Sequence, residues 1–469
     1  MSEILRWSAV ETVERLKARD VSVVEVTTTH LARLDAVNPD INAIVDQVPD
    51  ALDMARDIDE GRRAPGVLHG APITTKINAD QVGLVNTNGF AALANTVSPG
   101  DSAVVANLRR EGAVILGRTN TPEMSLRWCT SNPHHGTTLN PWNAAITPGG
   151  SSGGASSSLA SGIGVIAHGN DLGGSVRYPA YCCGLAGLKP SRGRVPAYNP
   201  SAPKDRPEMT MAFSVQGPLG RSVADVKLGL SAMRGFHPGD PNWTAAPANG
   251  RTRDKGPLRV GIVHDPFDAA THVAVKRSVD KAAAAAEAAG MDVSQFALPE
   301  AERVAEIWGQ LLFTETEMMY GTFLRDNGSD NLLRWIGAFT DYFECLDLNG
   351  YIEAMAERAR LQRLWASMWD DIDFLIMPTS LIPPFENDLD FNDPSKAPEI
   401  IAAQKPLCVV NAMGLPALSI PTHVEDGIPL GIQIMGPMHD DDAVLEAGQQ
   451  IEAALDAHVI KQMPGSLWA

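Results

Sequence analysis

The segment from Pro148 to Arg177 constrains this chain more than any other. It opens as Pro148-Gly149-Gly150-Ser151-Ser152-Gly153-Gly154 and closes as Asn170-Asp171-Leu172-Gly173-Gly174-Ser175-Val176-Arg177. Glycines at this density belong where backbone approaches other atoms closely or takes conformations closed to residues with a Cβ. Flexible linkers share the Gly/Ser content, but here Leu159, Ile163, Val165 and Ile166 are interleaved with it. Those side chains need a core, so the segment reads as tightly packed backbone. Gly-Gly ahead of Ser175 also leaves backbone N–H groups unhindered, and such groups can converge on a developing oxyanion.

Strand and helix patterns alternate around this segment. Ser8 and Ser22 head two helices within the first 45 residues; Glu25 completes a capping box, and Asn38-Pro39-Asp40 is the expected stop. Helical patterns recur at 51–61, 102–112, 272–289 and 442–456. Val304, Ile307, Trp308, Leu311 and Leu312 keep a 3.6-residue period, the mark of an amphipathic helix. Apolar runs at 113–117, 258–263, 374–377, 416–421 and 431–435 read as buried strands, as does the stretch ending at Lys76. This alternation predicts an α/β fold. Residues 244–256 read as a surface loop.

Composition excludes several partners. The 469 residues carry a formal net charge of −18. Such a surface repels nucleic-acid phosphates and anionic membranes, so neither is an expected partner. No apolar run reaches the roughly 18 residues a spanning helix needs. The start, Met1 to Trp7, lacks the basic-then-apolar pattern of a signal peptide, so a cytoplasmic location is expected. Cys129, Cys182, Cys183, Cys345 and Cys408 are odd in number and form no CxxC pair; they read as reduced, small, buried hydrophobes. No metal or other cofactor is expected. His134 and His135 are adjacent on a loop, where two rings rarely share one ion.

The glycine-serine motifs resemble those of the amidase signature family, and the likeness covers nearly the whole chain. It rests on Gly149 to Arg177, on Ser131-Asn132-Pro133 with Asn140-Pro141-Trp142, and on Cys183 to Pro190. Gly217 to Asp225, Gly414 to Pro421 and the His-Gly-x-Pro stretch from His69 to Lys76 extend it. The resemblance implies one α/β domain over residues 1–469, with a mixed, twisted central sheet covered by helices on both faces. Its signature core would span about 70–225, and a helical substrate-pocket region about 300–370. The family pattern assigns Lys76 as base, Ser151 as the cis-peptide serine relay and Ser175 as nucleophile. It makes the backbone N–H groups of Leu172, Gly173, Gly174 and Ser175 the oxyanion hole. Ser125 and Arg127 fall near the substrate's acyl group, although Arg127 fits a structural ion pair equally well. Asp171 and Arg177 are expected to hold the loop. Two positions depart from the pattern: Ile77 stands where an acidic residue is common, and Asn170 where Thr or Ser is usual.

The chemistry agrees with that assignment. A serine hydroxyl is a weak nucleophile until a base removes its proton. An ordinary lysine is protonated at neutral pH, and burial is what neutralises it. The expected reaction is cleavage of a carboxamide C–N bond through an acyl-enzyme. Trp308, Met318, Met319, Trp335, Phe339 and Phe343 belong either to the core or to an apolar pocket. The second role predicts a hydrophobic or aryl amide, or a carbamate (urethane), as substrate, with esters also admitted. The alternative function is that of the glutaminase component of a tRNA-dependent amidotransferase. A homodimer is admitted but not required.

Three other motifs compete. Gly150-Ser151-Ser152-Gly153-Gly154 satisfies a nucleophile-elbow pattern that would make Ser152 reactive, but no apolar strand precedes it. Gly162 to Ala167 matches a dinucleotide fingerprint, yet follows a helical stretch rather than a strand. Asp440-Asp441-Asp442 reads as the solvated start of the last helix.

Overall fold

The structure is a computed structural model and describes residues 3–246 and 256–455. Eleven strands form one sheet: β1 (Ile44–Gln47), β2 (Pro72–Lys76), β3 (Val114–Thr119), β4 (Ile166–Asp171), β5 (Ala186–Lys189), β6 (Val215–Gly220), β7 (Arg259–Ile262), β8 (Asp292–Gln295), β9 (Phe374–Pro378), β10 (Ala417–Glu425) and β11 (Ile428–Met435). Their spatial order is β1-β3-β2-β4-β6-β5-β10-β11-β9-β7-β8. The sheet is mixed. β2 runs parallel to β3 and β4, and β7 runs parallel to β8 and β9; the other pairings are antiparallel.

Side chains alternate between two cores, as strand pleating requires. Leu375 and Met377 enter one apolar cluster; Phe374 and Ile376 enter the other. The first contains residues of the Gly153–Ala160, Arg177–Cys183, Ala301–Asn327 and Lys405–Met413 helices. The second contains residues of the Ala103–Arg110, Val223–Met233, Val273–Ala288 and Asp441–Ala454 helices. Helices therefore cover both faces, as expected. Among the described residues, no helix is long and apolar enough to cross a membrane.

Both expected N-cap serines cap their helices. Ser8 and Ser22 accept hydrogen bonds from the N–H groups of Glu11 and Glu25. The second helix, however, runs through Asn38-Pro39-Asp40 to Ile41. Pro39 lies in its last turn, and Asn42 closes the helix in the left-handed region at φ 48°. Most of the expected 244–256 loop lies outside the described residues, as does the end of the 442–456 helix.

Two further expectations are corrected. The Asp440-Asp441-Asp442 run is not solvated: Asp440 and Asp441 are buried. Asp441 accepts the Ser191 N–H at 2.7 Å, and Asp442 pairs with Arg194 and Arg234. The run thus fastens the last helix to two other segments. Cys345 is exposed, while the other four cysteines are buried.

Candidate active site

β2 and β4 are parallel neighbours, so their carboxyl ends open on the same edge of the sheet. In α/β sheets, ligands bind outside such ends. Lys76 is the last residue of β2, and Asp171 the last of β4. The chain then turns through Leu172–Val176 into the Arg177–Cys183 helix. Ser151 lies just before the Gly153–Ala160 helix, and the Gly150–Ser151 peptide is cis.

Lys76 is fully buried, and its Nζ lies 2.6 Å from Ser151 Oγ. Desolvation pushes the Lys76 amine well below the ordinary lysine range, against an opposing pull from Asp171. Asn170 Oδ1 accepts a second hydrogen bond from Nζ at 2.8 Å. The Asn170 amide in turn donates to Asn78 Oδ1 at 2.9 Å, and Asn78 donates to Ser125 Oγ at 3.0 Å. Asn170 is thus the inner member of a polar chain running from the amine to Ser125. Beneath it, His168 donates through Nε2 to Gln216 at 2.8 Å; burial lowers its pKa to about 4 and leaves it neutral. Of the three expected reactive groups, Ser175 is the most accessible, at 7% exposure against 1% for Ser151 and 0% for Lys76.

Asp171 and Arg177 hold the loop, as expected. The Asp171 carboxylate accepts the N–H groups of Gly174, Val176 and Arg177 and pairs with the Arg177 guanidinium at 3.0 Å. Burial alone would raise its pKa; Arg177, Lys189 and the N–H groups outweigh burial and hold it far below the carboxylate range. Gly174 adopts φ 103°, and a Cβ there would collide with Leu407. The Gly174 N–H is engaged by Asp171 Oδ1 at 2.8 Å, so it does not fit the expected oxyanion set. The N–H groups of Leu172, Gly173 and Ser175 have no acceptor among the described residues.

Arg127 is also corrected. Its Nε and Nη2 bind Asp390 at 2.7 and 2.6 Å, Nη2 also binds Asp388 at 2.8 Å, and Nη1 binds Ser131 Oγ at 2.8 Å. Its side chain is fully buried, so no donor faces a substrate. Arg127→Ala is expected to destabilise the protein by about 3–5 kcal/mol, because buried Asp390 loses its counter-charge. Thermal unfolding measures this. A raised KM with unchanged stability would restore the substrate-binding role.

The competing motifs resolve structurally. Ser152 is fully buried, and its Oγ faces the Asn170 carbonyl at 3.5 Å, not a histidine. Gly162–Ala167 leads from a helix into β4, the reverse of a dinucleotide fingerprint. His135 bonds Thr87 at 2.9 Å. Among the described residues, one group has metal-ligand proximity: Cys129, Asp388 and Asp390. Arg127 already neutralises both of those carboxylates.

A family model described as Amidase matches residues 25–445. The chain belongs to the amidase signature family. This amidase is 39% identical to the indoleacetamide hydrolase of Bradyrhizobium diazoefficiens over 96% of its own length and 86% of the relative's. It is 32% identical to a glutamyl-tRNA(Gln) amidotransferase subunit from Acidothermus cellulolyticus, covering 97% of this chain and 95% of that one. Among solved structures, a bacterial aryl acylamidase of the same family superposes with a TM-score of 0.85 at 25% identity, covering 99% of each chain. The amidase's reaction is hydrolysis of an amide C–N bond.

The hydrogen bonds around this site also involve residues that the sequence did not single out. Asn78, Asn411, Trp128 and His168 carried no local signal. Asn170 stood out only as a departure from the family pattern. Trp308 stood out only as part of an apolar stripe.

Proposed function

We propose that this amidase hydrolyses a hydrophobic or aryl amide, with aryl carbamates as secondary substrates, through an acyl-enzyme on Ser175. The observation that carries the proposal is the desolvated Lys76 amine, 2.6 Å from Ser151 Oγ. Ser175 Oγ attacks the carbonyl carbon as its proton passes to Ser151, and Ser151 passes its own proton to neutral Lys76. The N–H groups of Leu172, Gly173 and Ser175 stabilise the oxyanion. The proton then returns along the same path to the leaving nitrogen, which cannot depart as an anion. Water attacks the resulting ester and releases the acid.

Two observations support the substrate class. One is the full-length likeness to an indoleacetamide hydrolase and an aryl acylamidase. The other is a small apolar cluster around Phe90, in which Met124, Leu126, Tyr320 and Ile336 are only partly buried. Met124 and Leu126 flank Ser125, the outer member of the polar chain from Lys76. Most of the aromatic residues from 308 to 343 serve the core instead: Trp308, Phe313, Trp335, Phe339 and Phe343 are buried.

The test is a panel of 4-nitroacetanilide, indole-3-acetamide, an aryl carbamate, acetamide and glutamine with the purified chain. The aryl substrates are expected to turn over fastest. Faster acetamide turnover overturns the substrate class. Ammonia release from glutamine only with added partner proteins would favour the amidotransferase reading.

A further inference from the structure

The loop from Asp171 to Ser175 is held by its carbonyls. The Asp171 carbonyl accepts Asn411 Nδ2 at 3.1 Å, and the Leu172 carbonyl accepts Trp308 Nε1 at 3.0 Å. The Gly173 carbonyl accepts Trp128 Nε1 at 2.8 Å, and the Gly174 carbonyl accepts the Tyr178 N–H at 2.7 Å. In a trans peptide, the carbonyl and the following N–H point in opposite directions. Each anchored carbonyl therefore fixes where the next N–H points.

The two indoles are not equivalent. Trp128 holds the Gly173–Gly174 peptide, whose N–H Asp171 also fixes. Trp308 holds the Leu172–Gly173 peptide, whose N–H has no acceptor among the described residues. The Trp308 bond is thus the one described hydrogen bond that sets that peptide's orientation. The ring also lies against the site of any Gly173 side chain: a Cβ there would sit 2.5 Å from Trp308 Cζ2. Trp308 itself is 3% exposed and packs edge-on against Phe313 and Phe343. The helix that carries it was expected to line the substrate pocket; at this position it meets the back of the catalytic loop instead.

We propose that Trp308 is a positioning residue for transition-state stabilisation: its indole N–H, on the Leu172 carbonyl, aims the Gly173 N–H at the developing oxyanion. The inference rests on the acyl-enzyme reading above and adds the group that orients one of its donors. The indole contacts the loop backbone and two phenylalanine rings, and among the described residues no hydrogen bond joins it to Lys76, Ser151 or Ser175. Its loss should therefore act on the transition state and leave ground-state binding and proton transfer to Lys76 alone.

Trp308→Phe keeps most of the buried ring and removes the N–H. With 4-nitroacetanilide, kcat is expected to fall by about 10- to 100-fold, below the roughly 10²–10³-fold loss from deleting an oxyanion donor outright. KM should change less than about threefold, and the pH profile should keep its midpoint, because Lys76 is untouched. Affinity for benzeneboronic acid, which forms a tetrahedral adduct with the serine, should fall in parallel with kcat. Trp128→Phe should lose less, since Asp171 still holds its peptide. Replacing Trp308 with 3-benzothienylalanine keeps the ring's shape and removes only the donor, and serves if the phenylalanine variant does not fold.

Wild-type kcat and boronate affinity in the benzothienyl variant would overturn the inference. So would a KM increase with unchanged kcat. The control is Ser175→Ala, which must abolish boronate binding. Failure of that control removes the acyl-enzyme reading and this inference with it. A sound control with a silent Trp308 variant removes the inference alone.

Discussion

Ser175→Ala is expected to lower kcat by on the order of 10⁴-fold or more. Three buried polar groups, Lys76, Ser151 and Ser175, are candidates for contact with a carbonyl. Lys76 and Ser151 are sealed at 0% and 1% exposure, while Ser175 reaches 7%. Ser175 also sits on the loop whose free N–H groups would meet the oxyanion, so nucleophile and stabilising donors come from one turn. Removing its Oγ leaves those donors and the substrate site, but no atom to form the ester. The residual rate should be what positioning alone provides. Labelling by a fluorophosphonate should vanish with the activity, while thermal unfolding stays unchanged. Near-normal turnover by the variant would withdraw the nucleophile assignment.

The second large effect is expected at Lys76. Lys76→Met keeps most of the buried stem and removes the amine, and kcat should fall by about 10²–10⁴-fold, the range for losing a general base. The pH dependence carries a definite sign. The active form is the neutral amine, so activity rises with pH as Nζ loses its proton and levels off once it is neutral. Burial lowers that transition well below the pH at which an exposed lysine would deprotonate. Asn170 adds direction: by accepting one N–H at 2.8 Å, it helps turn the lone pair toward Ser151. The rising limb should be present in the wild type and absent from the variant. A rising limb that persists unchanged in Lys76→Met would remove Lys76 from the role of base.

Much of the site was legible because its chemistry is written in local backbone requirements. Gly173 and Gly174 precede Ser175 because side chains there would strike Trp308 and Leu407. That demand leaves a sequence signature whatever the rest of the chain does. Lys76, at the end of a buried strand, was legible only through the motif around it, since a lone lysine is ordinarily solvated. Arg127 shows the limit. Its type and position fit substrate recognition and ion pairing equally. The decision came from Asp388 and Asp390, more than 250 residues away in the chain. The Asp440-Asp441-Asp442 run misled for the same reason: a charge run is solvated unless distant donors, here Ser191, Arg194 and Arg234, arrive to claim it.

The sequence by itself determined the α/β class, the positions of the two glycine-serine turns and the helix caps at Ser8 and Ser22; its family resemblance supplied the three residues proposed for the proton path. The caps and turns follow from interactions within a few residues, and the fold class from the alternation of strand and helix patterns along the chain. Only the tertiary structure decided which polar groups are engaged. It placed Asn170 on Lys76, took the Gly174 N–H for Asp171, turned Arg127 into an ion pair and set Trp308 behind the oxyanion loop. The physical reason is that a hydrogen bond is directional and short. Whether a buried donor is free or held therefore depends on which distant segment the fold brings within about 3 Å, and sequence spacing does not encode that.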